Sequence, residues 1–224
     1  MVHSPLVGPQ TWQLVASSLA GSGYEVVVPD LTGSLGGPPY AAGQAEVVAG
    51  SAGGGRAILV GHSGAGSLLV PAGCRLDHAA GYVFVDAGLP TPGRSSIGTM
   101  PEELASRLRG MADAEGWLPA WPEWWSGDEM AELLPDPVSR ERFVAGCRRL
   151  PMAMLEEAQP DAPGWRGLPG AYLRLSAAYD GPAGEALALG WPVARLDGHH
   201  LAMLTHPDLV ARSLVDLIAL LPDR

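Results

Sequence analysis

The chain has 224 residues, 47% of them apolar and 17% charged, enough to bury a real core as one globular domain. A net charge of −10 argues against nucleic acid or an anionic membrane as partner, and no run approaches the roughly 18 apolar residues of a membrane span. All 14 basic residues are arginine, which excludes Schiff-base lysine chemistry and a phosphate-loop lysine. Cys74 and Cys147 form no spacing pattern and are expected to be two buried thiols in a reducing cytoplasm. No basic stretch followed by an apolar one opens the chain, so the expected location is cytoplasmic.

Apolar positions Trp12, Leu14, Val15 and Leu19 recur at near-helical spacing and predict a helix over 10–20, ended by Gly21-Ser22-Gly23. Tyr24 to Val28 reads as a strand, Gly33 to Pro39 as a glycine/proline loop, and Ala41 to Ser51 as a short helix. Ile58-Leu59-Val60 ends a buried strand and runs into Gly61-His62-Ser63-Gly64-Ala65-Gly66, after which a helix is expected to about Ala72. Gly81 to Val85 is the next strand, leading into Asp86. From Thr91 to about Trp165 the rhythm breaks into helices expected near 101–115, 122–134 and 138–157. That segment holds five of the seven tryptophans and five of the seven methionines. The strand pattern resumes at Ala171 to Leu175, followed by Asp180, a short helix over 183–189, a last strand over 192–196, His199-His200, and a closing helix after His206. Strands alternating with helices at this spacing imply a parallel sheet with helices on both faces. Ligands then bind beyond the carboxyl ends of the strands.

A serine on a sharp strand-to-helix turn presents its hydroxyl beyond the sheet edge, and its neighbours must be small. Ser63 within Gly61 to Gly66 resembles the nucleophile elbow of the α/β-hydrolase family, with one departure: Ala65 stands where the pattern has glycine, and the next glycine is Gly66. A serine hydroxyl needs a base, and the base an orienting acid. The family's chain order is serine, acid, histidine, and Ser63, Asp180 and the His199-His200 pair follow it, the last two after successive late strands. The resemblance covers essentially the whole chain. It implies the α/β-hydrolase fold: a mostly parallel sheet with helices on both faces and a helical lid insertion over about 91–165, in a single domain.

The run His200-Leu201-Ala202-Met203-Leu204 is similar to the histidine loop of the esterase and hydroxynitrile-lyase branch, which favours His200 as base, with His199 the alternative. Asp180 matches the family's usual acid position, and Asp86 is the reserve. His62 is expected to be structural, His206 a helix-cap neighbour and Asp30 a loop anchor. The resemblance also implies a strand before His3, of which only Met1-Val2 is present, so the expected true start lies upstream. The loop after that strand should give one oxyanion N–H. Pro5 has none, leaving Leu6 to join the N–H of Gly64. No metal site is expected, since His199 and His200 are adjacent and lack a third ligand at helical spacing. No dinucleotide fingerprint occurs, and no cofactor is expected.

The implied activity is hydrolysis of an ester or thioester of a small apolar acyl-type substrate, with homodimerisation left open. The runner-up is non-hydrolytic chemistry on the same scaffold: acyl transfer, lactone formation, elimination or cyclisation. A third class, a ligand-binding protein on a silent scaffold, is opposed by the ordered Ser, Asp and His.

Overall fold

The computed structural model describes residues 1–222. Its centre is a parallel four-stranded sheet in the order β1 (Ala57–His62), β2 (Ala79–Val85), β5 (Gly170–Arg174), β6 (Val193–Arg195). Alternation along the strands divides the core in two. Val60, Val83, Val85 and Leu173 face the layer of α1 (Gln13–Gly21) and α10 (Pro207–Ala219). Leu59, Phe84 and Tyr172 face α2 (Tyr40–Ser51), α3 (Gly66–Gly73) and α8 (Asp180–Ala188). Helices therefore cover both faces, as the alternation of elements required.

The expected strand at 24–28 does not form a ladder; these residues belong to no strand. A strand needs a neighbour offering peptide groups in register. The adjacent segment offers only Val2, which makes a single parallel bridge to Gly61, while the Met1 amino group donates to the Val27 carbonyl at 2.5 Å. Val26, Val27, Ile58, Leu59 and Val60 line a groove of about 520 Å³ beside this edge.

Between the neighbouring strands β2 and β5 lies the long segment 86–169. It contains α4 (Glu102–Met111), β3 (Trp117–Leu118), α5 (Gly127–Leu133), α6 (Pro137–Gly146), β4 (Leu150–Pro151) and α7 (Met152–Glu156). It is less helical than expected. The helix read over 122–134 starts late because Ser126 and Glu129 form a reciprocal capping box, Ser126 Oγ accepting from Glu129 N–H and the Glu129 carboxylate from Ser126 N–H. The helix read over 138–157 breaks where Leu150 and Pro151 pair antiparallel with Leu118 and Trp117. Glu157 fastens the segment to the body, its two carboxylate oxygens accepting from Tyr40 N–H and Ala41 N–H at 2.8 Å each, at the start of α2. α9 (Ala202–Thr205) then precedes α10. Only one thiol is buried. Cys147 donates to the Phe143 carbonyl at 3.3 Å and burial pushes it up to about 12, whereas Cys74 sits exposed at the end of α3, against expectation.

Close packing explains the departure at the elbow. A Cβ on Gly66 would lie 2.0 Å from the carbonyl oxygen of Gly88, so the residue that must be glycine is Gly66, while Ala65 fits in the core fully buried. A backbone oxygen cannot swing aside as a side chain can. Gly66→Ala would gain about 1 kcal/mol of helix propensity, but overpacking of this kind costs roughly 1–3 kcal/mol. The expected outcome is a lower urea midpoint for Gly66→Ala; a raised midpoint would mean the Gly88 turn yields freely.

Candidate active site

The carboxyl ends of β1, β2, β5 and β6 carry the site. Ser63 follows β1 at φ 56°, a left-handed conformation that costs a non-glycine residue energy and marks a special position. It opens a short 3-10 turn that runs into α3. The leading N–H groups of such a turn, Gly64's among them, have no acceptor behind them in the turn. Asp86, directly after β2, is also left-handed at φ 41°. Its turn is clamped by Tyr172, whose hydroxyl donates to the Ala87 carbonyl at 2.7 Å and accepts from Ala87 N–H at 3.1 Å.

The histidine pair resolves by its partners. His200 directs Nδ1 at Asp86 Oδ2, 3.0 Å away. A carboxylate only accepts, so the Nδ1 carries a proton and the Nε2 of the neutral ring is the free base position. His199 is used otherwise: its Nδ1 accepts from Leu201 N–H at 3.3 Å and its Nε2 donates to Thr205 Oγ1 at 2.9 Å. The structure does not bring Asp180 to His200. Its carboxylate sits half-exposed between Arg174 at 2.8 Å and Arg195 at 3.3 Å, and the Arg174 guanidinium holds it below the usual carboxylate range. Arg174 and Arg195 are register partners on β5 and β6, which places both cations beside the residue that starts α8. The carboxylate that faces His200 is Asp86.

Asp86 has no exposed surface, and every donor around it is accounted for. Oδ1 accepts from Leu175 N–H at 2.6 Å and Ser176 N–H at 3.0 Å, and Oδ2 from Ser176 Oγ at 2.6 Å besides His200. Charge-assisted bonds of this number make burial of a carboxylate tolerable. Among the described residues no hydrogen bond joins Ser63 Oγ to His200; such bonds are commonly loose in a free enzyme and tighten with substrate.

Rings enclose His200. Tyr179 stacks on it at 5.0 Å between centroids, His62 lies at 4.4 Å and Trp121 of the 86–169 segment at 6.5 Å. His62 is structural, as expected: its Nε2 donates to the His200 carbonyl at 2.9 Å, tying the elbow to the histidine loop. The sequence reading missed Tyr172, Ser176 and Tyr179, whose only signal was their place within or shortly after β5.

The oxyanion side differs from the expected arrangement. Leu6 N–H donates to Ser4 Oγ at 3.3 Å, so it is engaged within its own turn. Ser4 Oγ would stand 3.0 Å from a Cβ on Gly64 and Pro5 Cδ 3.6 Å, so this loop packs closely on the elbow. His3 braces this loop in one neutral tautomer, Nδ1–H donating to the Ser4 carbonyl at 2.8 Å and Nε2 accepting from Leu31 N–H at 3.0 Å. Asp30 accepts from Thr32 N–H at 2.9 Å, a loop anchor as expected. A cavity of about 70 Å³ opens beside Gly64, lined by Leu6, Leu68, Met100, Met154 and Leu155 among others. Among the described residues no cluster of three or more His, Cys, Asp or Glu side chains is placed to hold a metal ion, and no helix is long and apolar enough to cross a membrane.

A serine in a strained strand-to-helix turn, with a histidine and a buried aspartate beyond the carboxyl ends of other strands of the same sheet, defines a hydrolase-type arrangement on a parallel α/β sheet. Residues 1–213 match the model of the alpha/beta hydrolase family, and the chain belongs to that family. Among solved structures it is similar to an extracellular alpha/beta-hydrolase from a Paenibacillus species, described as sharing structural and functional homology with tobacco salicylic acid binding protein 2. The TM-score is 0.78 at 20% identity, covering 96% of each chain. A pyrethroid hydrolase from Sphingobium faniae is similar with TM-score 0.69 and 20% identity over 98% of this chain and 96% of that one. Polyneuridine aldehyde esterase gives 0.69 and 18% over 96% and 97%. No curated protein matches the sequence.

Buried neutral histidines make stability depend on acid. Burial lowers the His3 ring below its ordinary 6.5 and the His62 ring well below it. As pH falls through about 6.5 the unfolded chain takes up these protons first, so stability is intact above that value and is lost below it. The slope is up to about 1.4 kcal/mol per pH unit for each ring. Urea unfolding at pH 7.5 and 5.5 checks this; equal stabilities at the two would show both rings charging freely in the folded protein.

Proposed function

We propose that the protein is a serine hydrolase cleaving an ester or thioester of a small apolar substrate through Ser63, His200 and Asp86. The observation that carries the reading is the 3.0 Å contact between His200 Nδ1 and the fully buried Asp86, at the strand end beside the strained Ser63. In this mechanism Asp86 holds the imidazole with its proton on Nδ1 and stabilises the imidazolium when it forms. His200 Nε2 takes the Ser63 proton as the oxygen attacks the acyl carbon, then delivers it to the departing oxygen or sulfur. Gly64 N–H receives charge developing on the carbonyl oxygen. The apolar cavity beside Gly64 suits an acyl group of a few carbons. The 91–165 segment, which contributes Trp121 and Met154, serves as the lid and excludes water from the reacting centre. That similar folds include an esterase and a pyrethroid hydrolase supports the choice of substrate class.

The oxyanion loop favours a second reading. With Pro5 lacking an N–H and Leu6 N–H given to Ser4, the loop is not built to offer a free second backbone donor. Acyl transfer, lactone formation, elimination or cyclisation makes different demands on that position.

Intact-mass labelling with a fluorophosphonate tests the nucleophile. One adduct is expected on the wild type and none on Ser63→Ala; an unlabelled, folded wild type would sink the proposal. The same assay separates the two acids. Asp86→Asn should slow labelling by roughly 10³-fold or more, since it disturbs the tautomer of the base, whereas Asp180→Asn should keep most of the rate. The reverse order would return the acid to Asp180.

A further inference from the structure

Tyr179 is not accounted for by the triad, yet it meets two of its members. Its ring lies parallel to the His200 imidazole, 5.0 Å between centroids and 1° between planes. Its phenol lies near the Ser63 hydroxyl.

The residue is also held in place from both sides. Tyr179 N–H closes a turn on the Ser176 carbonyl at 3.1 Å, and Ser176 is itself fixed by Asp86 through its N–H and its hydroxyl. On the other side Asp180 is pinned by Arg174 and Arg195. The aspartate expected to be catalytic thus anchors the start of α8, directly after the tyrosine.

Topology decides which side of Ser63 the phenol serves. The loop of Ser4 to Leu6 arrives next to Val2, which bridges β1 at its outer edge. Tyr179 follows β5, which lies on the opposite side of β1, beyond β2. The phenol therefore approaches from the His200 side, where a departing group receives its proton, and not from the oxyanion side. Burial raises the phenol above its ordinary value of 10.0, so it stays a donor across the working range of a histidine base.

We infer that Tyr179 is a further catalytic residue, whose O–H bonds to the departing atom during acyl transfer. The phenol keeps its own proton throughout; the proton delivered is the one His200 took from Ser63. The inference rests on the proposed Ser63 nucleophile and holds for hydrolysis and acyl transfer alike.

The test compares wild type and Tyr179→Phe, which keeps the stacked ring, by intact-mass labelling of Ser63 with three probes. A fluorophosphonate and a 4-nitrophenyl phosphonate carry good leaving groups, and an unsubstituted phenyl phosphonate a poor one. Loss of one hydrogen-bond donor predicts about tenfold slower labelling by the phenyl phosphonate, with the other two probes changed less than about twofold. An unchanged fluorophosphonate rate at an unchanged melting temperature shows that the site is still built. Equal losses on all three probes would reduce Tyr179 to a packing role, and no loss on any would remove it from the reaction; either overturns the inference. A wild type unlabelled by all three removes the nucleophile itself, and both readings fall together.

Discussion

A carboxylate with no exposed surface is expensive unless its lone pairs are filled, and the way Asp86 fills them organises the site. Its donors come from two places far apart in sequence, the Leu175-Ser176 segment after β5 and the histidine loop after β6. One side chain thus fixes the relative positions of three strand ends. The strained backbone at Asp86 is the cost of aiming it inward, and the Tyr172 clamp on Ala87 holds the turn that does so. Remove the carboxylate and Leu175 N–H, Ser176 N–H and the His200 ring lose a common acceptor together.

The same economy extends to the histidines. Each of His3, His62 and His199 is bonded to a carbonyl or a hydroxyl and stays neutral by burial, serving as rigid connectors between loops. His200 differs in being bonded to a fully buried carboxylate, the arrangement that tolerates a transient positive charge, whereas the carboxylate beside His3, Asp30, is exposed and 4.0 Å away. In the proposed mechanism the ring that changes charge is the one bonded to a buried carboxylate. His62 complements Asp86 from the other direction: it secures the backbone of His200 while Asp86 secures the ring.

Much of this was legible in the residues. Alternating apolar runs marked β1, β2, β5 and β6, and small residues around Ser63 marked its turn. His200 was favoured by the apolar run after it. Two readings failed for want of partners that a linear sequence does not display. Tyr24 to Val28 has the composition of a strand, but strand formation depends on a neighbouring ladder, and Val2 supplies one bridge. Asp86 and Asp180 both follow strands and both fall between Ser63 and His200 in order, so order alone does not separate them. What separates them is local: Asp180 has Arg174 and Arg195 beside it in register, and a carboxylate so paired has no reason to turn toward an imidazole.

The elbow and the oxyanion loop show how one substitution propagates. Moving the obligatory glycine from position 65 to Gly66 lets α3 press against the Gly88 carbonyl, so that the turn after Asp86 and the turn holding Ser63 share a backbone contact. The left-handed residues Ser63 and Asp86 are therefore coupled through main chain and not only through His200. On the opposite side Pro5 removes a donor, and Ser4 takes up Leu6 N–H with a hydroxyl packed against Gly64. A serine hydroxyl that accepts one bond keeps its own proton to give. The pressure to accommodate a negative oxygen then falls on Gly64 N–H and on side-chain hydroxyls, which rotate, instead of on a pair of fixed amides. Such a hole is less preorganised than two backbone donors, and in the proposed mechanism it leaves more of the rate to proton delivery on the other side of Ser63, where His200 and Tyr179 stand.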